Sequence, residues 1–461
     1  MKFKTTLILL IVFALLLAFV YFFEIRGKAE KEKAKEKKEK LADFSCSDVE
    51  KITFKKEDQT ISFKKDDKGE WLITEPMEVK ADSSEVNSLA SDFSDLRIER
   101  VVEEEPKDLS KYEIPRKEIS LWFKGKDLPL KILVGMENPL DNTFFAKRED
   151  EKRVVLIPSS LKSVMEKKLF DFRQKDIFKF ETKDVKRIKL RAKETEWQAL
   201  KKEEEWFFEK PVNALATKSK IDNILDSLSN LKAKDFVSEQ KKEEEMKKCG
   251  LEKAEYEIAL SVPSANQELL FSLHKDGDKV YVTTSLSSKI VATEEQILTD
   301  LEKKAADLRE KQVAVFYSWQ TNKLYLRKGD ITFTFFKDKD NKWHIESAAK
   351  EEADGPKIET FIRKIESLEA AEFIDPPLKF TDYGLDKPQA EVKIWTKEDE
   401  QKIKETDILI GTEDKEKKQV VVKNARLDYL FRVDSGFLEE FPKEAKDWKI
   451  EKPEEKKEKK S

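Results

Sequence analysis

Apolar residues alternate with polar ones through Val49-Glu-Lys-Ile-Thr-Phe-Lys-Lys, then Thr60-Ile-Ser-Phe-Lys-Lys, then Glu70-Trp-Leu-Ile-Thr. A period of two predicts three half-buried strands, separated by Asp/Gln and Asp-Asp-Lys-Gly turns. Pro76 closes the third strand, because proline has no N–H to give to a sheet ladder. The period then changes. Asp82 is placed to cap a helix, with Glu85 three residues on, and Val86, Leu89, Phe93 and Leu96 follow at helical spacing. The same sequence of signals returns twice. Glu205-Trp206-Phe207-Phe208-Glu209-Lys210-Pro211 repeats the strand end at Trp71, and Lys342-Trp343-His344-Ile345 repeats it more loosely. The tryptophans are 135 and 137 residues apart. Ala81-Asp82, Ala216-Thr217 and Ala353-Asp354 follow their tryptophans by ten residues, and Leu96, Leu231 and Leu368 by twenty-five. Ile221, Ile224, Leu225 and Leu228 form the second helical stripe, and Ile358, Phe361, Ile362 and Ile365 the third. Four or five side chains buried along such a stripe contribute about 6–15 kcal/mol before entropy is subtracted.

A second β block follows each helix. Tyr112-Glu113-Ile114-Pro115, Cys249-Gly250-Leu251 and Tyr383-Gly384-Leu385-Asp386-Lys387-Pro388 hold the same place, and only the first has Glu113 where the others have glycine. Strands are expected at Glu118–Phe123, Leu130–Val134, Phe144–Lys147 and Val154–Ile157. A closing helix comes next, clearest as Ile297, Leu301, Ala305 and Leu308. A period this long suits a whole small domain rather than a solenoid unit. The expected architecture is therefore α+β, with an N-terminal transmembrane helix followed by three tandem repeats, each a mainly antiparallel sheet with two packed helices. The repeats are placed at residues 44–179, 180–315 and 316–450, with a disordered polar tail at 451–461.

The N-terminus has a different pattern. Thr5 to Phe23 carries no charge, and about nineteen residues of helix span the ~30 Å hydrocarbon layer. The bulky exit Phe-Val-Tyr-Phe-Phe-Glu-Ile-Arg lacks the small residues of a cleavage site, which favours an uncleaved signal anchor. Lys2 and Lys4 favour a cytoplasmic N-terminus, while the many basic residues from Arg26 to Lys40 pull the other way. A long following domain translocates regardless of charge, so the bulk of the chain is expected outside the cytoplasm, in the periplasm or its equivalent. Residues 24–43, rich in Glu, Lys and Ala, are expected to form a charged helical stalk.

Composition narrows the function. Lys+Arg 91 against Asp+Glu 95 leaves a net charge of −4 with both signs interleaved, which argues against a nucleic-acid partner. Cys46 and Cys249 occupy non-equivalent positions in different repeats, so free thiols are expected rather than a repeated disulfide. His274 and His344 are the only histidines, too few for a histidine metal site, and no metal or cofactor is expected. The chain contains no G-x-x-x-x-G-K-[ST], C-x-x-C, H-E-x-x-H or G-x-S-x-G, and its eleven glycines form no phosphate cradle.

The strongest chemical candidate is the recurring Asp171, Asp307 and Asp447, with Arg173 and Arg309 two residues further on. An acid and a base so spaced could form a site; lone pairs without an organising pocket more often cap a helix or tie one domain to the next. The tryptophans could stack a sugar, but apolar neighbours at equivalent strand positions favour core residues. No catalytic residue is assigned.

The G-x-W-x-[LIV]-x-x-P strand end, the Ala-Asp cap with its helix, Tyr383-Gly384-Leu385-Asp386-Lys387-Pro388 and Ile408-Leu409-Ile410-Gly411 together resemble an uncharacterised bacterial family. It is a domain of unknown function behind one N-terminal membrane helix, found beside ABC transporters of the gliding-motility type. No copy here carries every motif: the third has Ala348 in place of the proline, and the second reads Cys-Gly-Leu-Glu-Lys-Ala. The resemblance implies a membrane-anchored, non-enzymatic interaction protein, an accessory of an ABC-transporter or cell-envelope complex. Its partners would be the lipid bilayer and transporter subunits. The alternative is a stand-alone envelope protein acting as a ligand binder or spacer.

Overall fold

A computed structural model describes residues 39–56, 59–263, 268–346, 351–397 and 402–450. It divides into two compact units, one ending at Lys175 and the other beginning at Asp176.

In the first unit a nine-stranded sheet runs in the order Val79–Lys80, Trp71–Glu75, Gln59–Lys65, Val49–Lys56, Lys117–Phe123, Leu130–Glu137, Phe144–Arg148, Val154–Ile157 and Arg100–Glu103. All of its pairings are antiparallel. The alternation seen in the sequence sets the faces. Val49, Ile52 and Phe54 of one strand, and Ile61 and Phe63 of the next, turn inward with Trp71 and Ile73. The helix Ser83–Ser94 lays Val86, Leu89, Ala90 and Phe93 on this face, and the Asp82 side chain accepts the N–H groups of Ser84 and Glu85 at its start.

The second unit contains the same design twice. One nine-stranded sheet runs from Ala214–Ala216 through Arg187–Ala192 to Asp235–Ser238 in matching order. An eight-stranded sheet runs from Trp343–Ile345 through Thr321–Lys328 to Glu372–Ile374. Where the others have a short outer strand, the third copy has a bridge between His344 and Glu352. Helices Lys218–Ser229 and Gly355–Glu366 cover the two sheets.

Each copy is led in by the segment before its first long strand. Lys40–Asp43 pairs with Asp95–Arg97 as a small separate sheet. At the corresponding places the Ile177 N–H donates to the Leu231 carbonyl and the Val313 N–H to the Leu368 carbonyl.

Several expectations need correction. The protein is mainly β rather than α+β: among the described residues 43% are in strands and 23% in helical turns. One twelve-residue helix packs on each sheet, not a pair. The expected closing helix is broken in every copy. In the second it forms Gln296–Leu301 and Ala305–Leu308, with an extended residue, Lys304, between them. The break has a cause, since the buried Trp197 indole donates to the Lys303 carbonyl and Asp307 restarts the turn by accepting the Lys304 N–H. The expected stalk at 24–43 does not extend to its end, because Lys40–Asp43 is a strand. The apolar run 5–23, the remainder of the stalk up to 38, and the tail 451–461 lie outside the described residues. Among those described, no helix is long and apolar enough to cross a membrane.

Candidate functional site

The recurring tryptophans are core residues. Trp71, Trp206 and Trp343 are 1%, 0% and 3% exposed. Each lies opposite a lysine of the neighbouring strand: Lys65, Lys201 and Lys337. A buried indole N–H needs an acceptor, and each finds one sixteen residues later on the covering helix. Trp71 donates to Asn87 at 2.8 Å, Trp206 to Asp222 at 3.1 Å and Trp343 to Glu359 at 3.4 Å. The sequence reading passed over this polar position, whose constant interval of sixteen residues after each tryptophan strengthens the repeat independently of the apolar pattern.

The recurring aspartates cap turns. Asp171 accepts the Lys168 N–H at 2.7 Å, Asp307 that of Lys304 at 3.0 Å, and Asp447 those of Lys443 and Glu444 at 2.8 and 2.9 Å. In each, one carboxylate oxygen is thereby committed to the backbone. Arg173 is buried and its backbone bridges to Ala81.

Arg309 joins the two copies of the second unit. It is 5% exposed, and both terminal nitrogens bond Asp375, at 3.0 and 2.7 Å. The guanidinium lies 3.8 Å from the Phe373 ring centre and 4.1 Å from that of Tyr429. A planar, weakly hydrated cation suits such a slot, where an ammonium would fit neither the fork nor the rings. Around it, the Leu215 N–H donates to the Tyr429 hydroxyl at 3.3 Å and the Asn213 amide to Asp428 at 3.1 Å. Glu205 reaches across to Arg426 and, at 3.4 Å, to Lys404. Burial raises the Glu205 carboxyl, but the Arg426 hydrogen bond and the two cations outweigh this and hold it below the usual carboxylate range. Ala214 and Leu215 belong to the hydrophobic core of the third copy. The two repeats form one cemented block.

Cys46 and Cys249 are both free. Cys249 sits beside Leu251 and Ile290, and burial pushes its thiol up, away from the reactive thiolate. His274 Nδ1 is 3.9 Å from Glu255, and His344 Nε2 is 2.7 Å from Asp338. Among the described residues no group of three or more His, Cys, Asp or Glu side chains is placed to hold a metal ion.

Two of the concavities among the described residues have a mixed charged and apolar lining. One, of about 410 Å³, lies on the solvent face of the second copy's sheet and includes Lys189, Arg191, Glu196, Glu257 and Leu270. The other, of about 540 Å³, is lined by Glu205 and Phe207 from the second copy and by Ile403, Lys404 and Arg426 from the third. Paired charges line both, and neither gathers a nucleophile with a base.

The model of a family described as "Domain of unknown function (DUF4340)" matches residues 71–207 and again 206–381. The chain belongs to this family. The first match runs from the Trp71 strand into the Trp206 strand, and the second begins there and ends at Thr381, beyond the Trp343 strand and the helix Gly355–Glu366. No curated protein matches the chain. Among solved structures, the DNA polymerase III subunit beta from Pseudomonas aeruginosa is similar at 7% identity, with 84% of this chain and 92% of that one covered and a TM-score of 0.17. The corresponding subunit from Borrelia burgdorferi gives 10% identity, 88% and 95% coverage and a TM-score of 0.16. Scores this low support no inference about fold or function.

Proposed function

We propose that this DUF4340 chain is a non-enzymatic interaction protein of the cell envelope, held at the outer face of the membrane as an accessory of an ABC-transporter or envelope complex. The observation that carries the reading is the use made of the recurring polar residues. The aspartates close turns, the helix acceptors satisfy buried indoles, and Arg309 cements one repeat to the next. Polar residues spent on these purposes build packed repeats, which leaves the repeat surfaces as the parts free to act. The uncharged run Thr5–Phe23 supports a membrane location from the sequence. The transporter link rests on the resemblance alone.

Purification from native membranes in mild detergent, with identification of stoichiometric companions, tests the proposal. Recovery with a transporter or envelope component supports it, and recovery alone counts against it. A second reading, a stand-alone ligand binder, draws on the 410 Å³ groove of the second copy. A ligand retained by that groove in the absence of any protein companion would favour it.

A further inference from the structure

The junction between the second and third copies shows how one repeat receives the next. On the outgoing side the second copy supplies Glu205, Leu215 and Arg309, and on the receiving side the third supplies Arg426, Tyr429 and Asp375. The third copy has an outgoing side of its own. Lys342 precedes Trp343 as Glu205 precedes Trp206, and Glu352 precedes Ala353 as Leu215 precedes Ala216. Lys449 bridges to Ala353 as Arg309 bridges to Ala216. The first copy likewise has a receiving side. Val101 pairs with Val155 as Phe373 pairs with Phe431, which puts Arg153 at the place of Tyr429 and Asp150 at that of Arg426. Glu103 pairs with Val154 as Ile374 pairs with Leu430, so the next residue, Glu104, stands where Asp375 does.

Set against each other on the pattern of that junction, the two ends match Lys342 with Asp150, Glu352 with Arg153 and Lys449 with Glu104. All three matches are opposite in sign. At the first, the internal pair Glu205 and Arg426 has exchanged its charges on both sides at once. A terminal repeat needs a polar outer face to stay solvated, but that need does not set the signs. The signs also reject the wrong order, since Lys342 against Arg426, or Glu205 against Asp150, would set like charges together. The groups are accessible: the Lys342, Glu352 and Asp150 side chains are 61%, 48% and 64% exposed, and Glu104 is exposed. Within the chain Lys342 pairs with Glu352, Lys449 with Glu351, Asp150 with Arg148 and Arg153 with Glu151. Ion pairs open to solvent contribute little and exchange partners at low cost. We propose that the outgoing side of the third copy docks on the receiving side of the first copy in a second molecule of this chain, a head-to-tail contact that continues the internal junction. Val101 and Arg153 replace the rings of Phe373 and Tyr429 there, so the contact rests on charge and weakens with salt. This goes beyond the transporter-accessory reading and does not depend on it.

The test uses the full chain in detergent micelles, with its mass followed by analytical ultracentrifugation over a range of concentrations at low and high salt. Self-association that weakens at high salt is expected. Lys449→Glu and Glu104→Lys should each weaken it about tenfold. Combining the two in one chain rebuilds the pair with its signs exchanged and should restore association, which also excludes misfolding as the cause of either loss. A carbodiimide, which joins lysines to carboxylates in contact, should link Lys342 to Asp150 between labelled and unlabelled chains. Three results would overturn the proposal: a monomer at every concentration, association indifferent to Lys449→Glu, or a double variant as weak as either single one. Chains held together by their apolar N-terminal runs alone would give the second result.

Discussion

Replacing Arg309 with alanine should uncouple the two repeats of the second unit without unfolding either. The side chain makes a bidentate ion pair with Asp375, a class of bond that contributes about 1.5–3 kcal/mol. It also lies between two rings at 3.8 and 4.1 Å, a desolvated cation–π arrangement that contributes about 2 kcal/mol. The two share one guanidinium and do not simply add. Breaking a fully buried pair costs about 3–5 kcal/mol, but the Asp375 side chain is 40% exposed and its carboxylate rehydrates once released. A loss of about 3 kcal/mol is the expected balance, close to a hundredfold in the equilibrium between joined and separated repeats. Native-state hydrogen exchange resolves this locally. The Leu215 amide, which donates to Tyr429, should lose about a hundredfold protection, while amides of Tyr256–Ser261, the central strand of the second sheet, hold theirs. Arg309→Lys keeps the charge and loses the fork, so it should fall between. If Arg309→Ala leaves Leu215 exchange within threefold of the parent, the cement described here is not what joins the repeats.

Three further outcomes are expected. A Cβ on Gly411 would lie 2.1 Å from the Tyr383 carbonyl oxygen, a backbone atom with nowhere to go, so Gly411→Ala should cost about 3 kcal/mol or more in thermal denaturation. Asp222→Ala leaves the Trp206 indole N–H buried without its acceptor and should destabilise the second copy by about 1–3 kcal/mol, read as a lower denaturant midpoint. In the same copy, burial and then the hydrogen bond to Glu302 push the Tyr256 hydroxyl up to about 12, and its contacts with Tyr256 and Glu302 raise Lys193 as well. Both folded values exceed the unfolded ones, so this stabilisation is complete below about pH 10 and is lost as pH climbs through about 10 to 12. Tyr256→Phe should flatten that alkaline arm of the stability profile, and an unchanged arm would contradict the linkage.

The strands and long helices were legible because each buries one face only, so the period of two at Val49–Lys56 and of 3.6 at Val86–Phe93 is written in residue type. The closing helix was misjudged for the same reason. Ile297, Leu301, Ala305 and Leu308 do face the core, but apolar spacing does not register the extended Lys304 between two short turns. Glu113 concealed a requirement too. It adopts φ of 51°, the left-handed conformation that Gly250 and Gly384 hold at 67° and 66°, so all three copies turn alike whether or not glycine is present. The compensation lies a strand away. In the first and third copies Gly135 and Gly411 leave room beneath the carbonyls of Tyr112 and Tyr383, whereas in the second His274 fills that space and any Cβ on Gly250 would strike its ring. The Arg309 slot was half visible. The sequence left the arginine as either a helix cap or a domain tie, and Phe373, Asp375 and Tyr429 are brought to it only by the fold.

The central claim is that this array works through what binds its surface. Its most direct measurement is crosslinking in intact cells followed by purification of the full chain from native membranes and quantification of what accompanies it. The account predicts at least one envelope or transport component in fixed ratio, retained through a second purification step. A chain that emerges alone, from crosslinked and uncrosslinked cells alike, would contradict it.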